Sequence, residues 1–265
     1  MELHRARLIY FSPNGTTKSV LDAVVKGIGA EEVTLVDSTR PEVRSEKQGP
    51  ITEDLVIIGV PVYFGRIPQA AYDYLINLQG NQKPVVIMSV FGNRGYGDSL
   101  LELKEICRQA GFHVIAAAAF IGEHAFSTDK IAIAINRPDE DDLRKAEAFG
   151  QQIRQKIVSC TKTEELTEPN VLGNPMLKKR PKDLFSCVSQ RDIQVCTQCG
   201  LCAKNCPVGA IDTETLAVNK DLCIHCCACV KGCPQNARTM KNTKFKMVSI
   251  MLEKTCKTRQ EPIIF

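Results

Sequence analysis

The chain has 265 residues, 44% of them hydrophobic, and a formal net charge of +4, enough for one ordinary domain and a small one. No apolar run approaches the roughly 20 residues that a membrane span needs. The opening MELHRARLIYF gives way to polar Ser12, Asn14 and Thr16 too early for a secretion signal. A soluble, cytoplasmic protein is expected, and in such a compartment its thirteen cysteines point away from disulfides toward metal or redox chemistry.

In chain order, Ala6–Phe11 reads as a strand and Thr16–Ile28 as a helix, with Val20, Leu21, Val24, Val25 and Ile28 on one face. Strands are expected at Val33–Asp37 and Leu55–Pro61, a helix at Gln69–Leu78, a strand at Pro84–Phe91, a helix at Ser99–Ala110 and a strand at Val114–Phe120. A long helix follows at Asp139–Val158, with Leu143, Ala146, Phe149, Ile153 and Ile157 facing the core. Five apolar strands interleaved with helices predict an α/β fold, a doubly wound five-stranded parallel sheet over residues 1–158. Residues 159–190 lose this periodicity and read as a linker or strap. A cysteine-rich segment occupies 191–240. The last part, 241–265, holds six Lys/Arg and two Asp/Glu and is expected to be a solvated, partly helical extension.

Nine of the cysteines lie between Cys196 and Cys233. Cys196-x2-Cys199-x2-Cys202-x3-Cys206-Pro207 recurs 27 positions later (196 to 223, 206 to 233) as Cys223-x2-Cys226-x2-Cys229-x3-Cys233-Pro234. Three thiolates two residues apart wrap one cubane, and the fourth, before proline, reaches the neighbouring one. One cluster is expected on Cys196, Cys199, Cys202 and Cys233, the other on Cys223, Cys226, Cys229 and Cys206. Zinc sites use pairs of Cys-x2-Cys across a longer insert, a different spacing. Cys227 takes the place of Gly200 in the first copy and is not an expected ligand. Cys107 reads as core, and Cys160, Cys187 and Cys256 receive no role. The segment resembles a bacterial two-cluster ferredoxin, a small α+β domain with two [4Fe-4S] clusters.

The first strand runs into Ser12-Pro-Asn-Gly-Thr-Thr17, which opens a helix. Ser12, Asn14, Gly15, Thr16 and Thr17 thus form a candidate phosphate cradle of hydroxyls, an amide, backbone N–H groups and a helix N-terminus. No Walker lysine pattern and no G-x-G-x-x-G is present, which disfavours a nucleoside triphosphate or a dinucleotide here. Two further loops combine aromatics with glycines at strand ends on the same edge: Pro61-Val-Tyr-Phe-Gly-Arg-Ile-Pro68, and Phe91-Gly-Asn-Arg-Gly-Tyr-Gly-Asp98. Together these residues resemble flavodoxin, although Asn14 stands where a hydroxyl is usual. The resemblance implies FMN, with Tyr63, Phe64, Gly65, Gly92, Asn93 and Tyr96 around its ring and Pro61 and Phe91 opening the two loops.

The whole chain is similar to the flavodoxin–ferredoxin fusion proteins of anaerobic bacteria and archaea. That similarity implies an electron-transfer protein linking redox partner proteins, two [4Fe-4S] clusters and FMN. An alternative is a flavin-dependent reductase of a small molecule or quinone. No catalytic residue is assigned; His113 and His124 read as ordinary polar or capping residues. Nucleic-acid binding by Lys241, Lys244 and Lys246 around Phe245 is disfavoured, and a homodimer is left open.

Overall fold

A computed structural model of the chain describes residues 1–177, 179 and 187–265. The middle of the expected 159–190 linker, at 178 and 180–186, therefore lies outside the described residues.

The elements run β1 (Arg5–Tyr10), α1 (Thr16–Ile28), β2 (Glu32–Asp37), α2 (Pro41–Ser45), β3 (Leu55–Pro61), α3 (Gln69–Leu75), β4 (Pro84–Phe91), α4 (Ser99–Gln109), β5 (His113–Ile121) and α5 (Glu140–Val158). The cysteine segment adds β6 (Gln190–Arg191), α6 (Leu201–Lys204), α7 (Ala228–Lys231) and β7 (Arg238–Thr239). α8 (Thr243–Thr255) and β8 (Ile263–Ile264) close the chain. β3 and β4 are buried along their whole length, as strands covered by helices on both faces must be.

The main sheet has the order β2-β1-β3-β4-β5-β8. Its first five strands are parallel and reverse direction of winding between β1 and β3, the flavodoxin-like order. The expected five-stranded parallel sheet is corrected on one point: a sixth strand, β8, pairs antiparallel with β5 through Ala118↔Ile264 and Ala119↔Ile263. Its two residues come from the apolar terminus Pro262-Ile-Ile-Phe265, and a short edge strand of this kind caps the sheet without offering a long unpaired edge.

One face of the sheet packs on α1 and α5 through Leu8, Leu21, Val24, Phe120, Phe149 and Ile153. The other packs on α3 and α4 through Ile9, Ile58, Leu75, Ile87, Leu103 and Ile106. α5 begins with a capping box between Asp139 and Asp142, and Asp142 is fully buried against Arg137. The expected strap after α5 lies on the same domain. Leu166 and Val171 are buried, and the Lys104 ammonium donates to the Pro169 carbonyl at 2.8 Å.

The expectation of a solvated tail is also corrected. α8 is capped by Asn242, whose side chain accepts from the Phe245 amide at 3.0 Å. It buries Phe245, Ser249 and Leu252, with Cys256 one turn on, against Phe126 and Ile133. Lys244, Lys246 and Lys254 lie on its other positions along with the exposed Met247 and Met251, so a simple charge count hides the packed stripe. Phe245 packs on Phe126 with ring centroids 4.5 Å apart and cannot stack on a base.

α1 and α5 touch through glycine. A Cβ on Gly27 would sit 1.9 Å from the Glu147 carbonyl oxygen, and one on Gly150 would sit 2.1 Å from that of Val24. Both obstacles are helix backbone, which cannot swing aside. Gly27→Ala is expected to cost about 1–3 kcal/mol or more, read as a lower urea midpoint with an unchanged slope.

Candidate functional site

The C-terminal edge of the parallel sheet carries a cleft, at the end where ligands bind in folds of this winding. Ser12, Asn14, Thr16 and Thr17 form one end. Gly15 turns the chain in the left-handed region at φ 83° and directly precedes α1. The Ser12 hydroxyl accepts from the Lys18 amide at 3.0 Å. The first turn of α1 holds no acidic side chain, so its amide dipoles meet an anion without competition. The Asn14 Oδ1 is buried and has no hydrogen-bond partner among the described residues, as suits an acceptor facing a ligand hydroxyl. These features fit a flavin mononucleotide.

The ring-side loops are positioned by buried chemistry beneath them. Glu102 on α4 takes a forked pair of bonds from Arg66, at 2.7 Å from Nε and 2.6 Å from Nη2. It also accepts from the Ile67 amide at 3.1 Å. This pair pins the loop that carries Tyr63, Phe64 and Gly65 to the cleft wall. Pro61, Phe91 and Gly92 line the same cleft.

Asn93 and Tyr96 are placed differently from the rest of their loop. The Asn93 amide donates to the carbonyls of Cys256 and Thr258 at 2.7 and 2.9 Å, and its oxygen accepts from the Gln260 amide at 2.9 Å. Tyr96 packs between Phe91 and Phe265. Both residues hold the returning C-terminus, a role the sequence hides because the tail is about 160 positions away.

The loop after β5 supplies Glu123 and Phe126, which the sequence reading passed over, and His124, which it took for an ordinary polar or capping residue. Its position after a fifth strand on the same edge was the available signal. His124 Nδ1 accepts from the Phe126 amide at 3.0 Å. Burial, with Lys231 and Arg94 nearby, lowers the imidazole pKa to about 4. The ring is therefore neutral at pH 7 with its proton on Nε2. His113 instead meets the Leu166 carbonyl at 2.6 Å in the strap.

The cysteines gather into two cavities. Cys196, Cys199, Cys202 and Cys233 line one. Cys206, Cys223, Cys226 and Cys229 line the other. Each set takes three members from one repeat and its fourth from the other. The sulfurs surround a space instead of meeting at a point. Among the described residues, no three His, Cys, Asp or Glu side chains could hold a single metal ion. Backbone amides point at sulfur: Gln198 to Cys196 at 3.4 Å, Ala210 to Cys206 at 3.2 Å and Ala237 to Cys233 at 3.2 Å. The cavities fit iron–sulfur cubanes, whose sulfurs accept such bonds. Burial pushes the thiols of Cys223, Cys226 and Cys229 up, so a cluster that captures thiolate must supply the compensating interaction. Cys227 is buried in the left-handed region at φ 59°, matching Gly200 at φ 73°, and packs near Phe126 and Phe245.

The two sites share a wall. Ile224 and His225 line both the cleft and the second cysteine cavity. Asn14 Nδ2 donates to the Cys226 carbonyl at 2.8 Å. Arg44 donates to the Pro207 carbonyl at 2.5 Å, and Lys231 pairs with Glu123. Tyr63 is partly exposed, yet the protein packed around its hydroxyl, with Cys226 and Cys227 close by, pushes its pKa well up.

Residues 7–97 match the family described as a flavodoxin domain. Residues 191–212 and 216–239 match the 4Fe-4S binding domain. The chain thus joins an N-terminal flavodoxin domain to a C-terminal 4Fe-4S segment of the ferredoxin kind, a combination that serves electron transfer and implies redox partners. An uncharacterized protein of Methanocaldococcus jannaschii is 27% identical over 104 residues, which cover 38% of this chain and 69% of that one. Among solved structures, a flavodoxin from the domain Archaea is similar at 17% identity and a TM-score of 0.40, over 58% of this chain and 99% of that one. The rubredoxin oxygen:oxidoreductase of the anaerobe Desulfovibrio gigas is similar at 18% identity and a TM-score of 0.42, over 58% of this chain and 36% of that one. No helix among the described residues is long and apolar enough to cross a membrane.

The depressed His124 pKa fixes a sign. Because the unfolded ring takes up its proton first, the stability gained from the neutral imidazole is complete above about pH 6.5 and is lost as pH falls through about 4. It amounts to at most about 3 kcal/mol, less where solvent reaches the ring. An imidazole NMR titration is expected to place the midpoint near 4, with the Nε2–H tautomer above it.

Proposed function

We propose that this chain relays single electrons between a protein partner and FMN through two [4Fe-4S] clusters, all within one polypeptide. The observation that carries this reading is the linear order of three sites: first cysteine cavity, second cysteine cavity, flavin cleft. The last two share Ile224 and His225 in their walls. In this reading the domains are residues 1–158, 191–240 and a tail that belongs physically with the first, with 159–190 linking them.

Cys196, Cys199, Cys202 and Cys233 hold the outer cluster, and Cys223, Cys226, Cys229 and Cys206 the inner one. Cys199 is exposed, and Ile193, Val195 and Leu201 near it are 75%, 47% and 38% exposed. Partner proteins therefore exchange electrons at the outer cluster. Ser12, Gly15, Thr16 and Thr17 bind the FMN phosphate. Pro61, Tyr63, Phe64, Gly65, Phe91 and Gly92 border the ring. FMN supplies one- and two-electron chemistry, while the protein fixes its position and tuning. Asn14 turns its amide to the inner cluster loop and keeps its oxygen for the cofactor. Asn93 and Tyr96 act on the ring through the tail they hold.

His124 favours a second reading, reduction of a small molecule or quinone at the flavin. Its imidazole lines the cleft, where a neutral ring can donate a hydrogen bond to a substrate oxygen that gains negative charge, the proton itself coming from solvent. Loss of turnover in His124→Gln with cluster-to-flavin transfer intact would select that reading over a pure carrier.

Anaerobic purification is expected to give about eight irons and about one FMN per chain. Cys206→Ala should deplete the inner cluster and spare the outer one; selective loss of the outer cluster contradicts the crossed assignment. Thr17→Leu should lower FMN occupancy at least several-fold without changing iron content, read by flavin fluorescence after extraction. Unchanged occupancy contradicts the phosphate-loop assignment.

A further inference from the structure

A buried polar connection joins the two cysteine cavities. Ser189 directly precedes β6 and Arg238 opens β7, so the pairing Arg191↔Arg238 and Gln190↔Thr239 puts them on one face of the two-stranded sheet, diagonally across from each other. Ser189 is 5% and Arg238 3% exposed. Arg238 lines the first cavity with Cys233 and the first cysteine triplet. Ser189 lines the second, where its Oγ lies 3.2 Å from Cys229 Sγ.

The chemistry of the donors gives this connection a direction. Arg238 Nη1 reaches the Ser189 Oγ at 3.2 Å. An arginine only donates, so the hydroxyl is the acceptor in that bond. Its own proton is then directed to the Cys229 sulfur. Arg238 Nη2 donates to the Leu216 carbonyl at 2.5 Å, while Nε is buried and has no hydrogen-bond partner among the described residues. An arginine is a permanent cation, and burying one is costly unless negative charge lies close. Among the described residues, no carboxylate forms an ion pair with Arg238 at the distances seen elsewhere in the chain. The remaining anionic neighbours are the thiolates of the cavity it lines.

We infer that Arg238 and Ser189 are positioning residues that set the reduction potentials of the two clusters. Arg238 acts on the outer cluster as a buried cation and on the inner one through the Ser189 hydroxyl. Ser189 acts on the inner cluster alone. Reduction adds one electron and so one negative charge to a cluster. A nearby cation and a hydrogen bond to sulfur stabilise the reduced state more than the oxidised one, and both raise the potential. The inference rests on the ligand assignment proposed above.

The test is an EPR-monitored potentiometric titration of the full chain, purified anaerobically with its clusters, as wild type, S189A, R238K and R238Q. The inner-cluster wave is identified by its loss in Cys223→Ser. S189A is expected to lower the inner potential and leave the outer one in place. R238Q is expected to lower both, and R238K, which keeps the charge, to lower both by less. An unchanged inner potential in S189A, or an unchanged outer potential in R238Q, overturns the inference. If R238Q does not retain both clusters, S189A decides. A fall confined to the inner cluster supports the inference, and an equal fall in both, as a loosened fold would give, overturns it. Iron and sulfide content of the wild type checks the ligand assignment separately: a chain without clusters fails that reading, whereas a chain with clusters whose potentials ignore these substitutions fails this one.

Discussion

The contact on which the site depends is the seating of the cysteine segment over the phosphate loop. The Asn14 amide bonds the Cys226 carbonyl, and Cys226 is buried. An amide–carbonyl bond alone contributes only about 1 kcal/mol. It is reinforced by the Arg44 bond to Pro207 and the Lys231–Glu123 pair. A flavodoxin domain lacking this seam would leave its cleft open along one side. Here Ile224 and His225 close that side and simultaneously wall the inner cysteine cavity. The same few residues thus cover the cleft and join it to the inner cysteine cavity.

The returning C-terminus keeps the seam from opening. α8 packs its apolar stripe on Phe126 and Ile133. Asn93 then grips three backbone groups of the following turn. Arg259 reaches the acidic start of α5 at Asp139, and β8 joins the sheet. The cysteine segment is held between two parts of the chain that both belong to the flavodoxin domain. Such an arrangement suppresses the hinge motion expected of two domains joined by a single linker, which suits electron transfer over a fixed distance.

Much of this was legible in the sequence, for definite physical reasons. The strands and helices of the first domain follow from apolar periodicity, because burial on two faces of a sheet leaves few alternatives. The cysteine repeat could be read because cubane ligation dictates close spacing. The tail could not, because its Lys and Arg residues dominate any charge count while Phe245, Ser249, Leu252 and Cys256 carry the packing. Asn93 was read with its loop, yet its side chain answers to carbonyls about 160 residues downstream, which no local pattern encodes. Asn14 stood out as a departure from the flavodoxin pattern; only the structure gives it a partner. Ser189 and Arg238 sit in no motif, and their pairing depends on a two-stranded sheet only two residues long.

The central claim is that electrons pass from clusters to flavin inside one chain. The direct measurement is laser-flash or pulse-radiolytic injection of electrons into the anaerobic protein, following cluster and flavin absorbance over a wide range of protein concentration. The account predicts that flavin reduction follows cluster reduction with a first-order rate independent of concentration. A rate that rises in proportion to concentration, or a flavin that stays oxidised while both clusters are reduced, would contradict it.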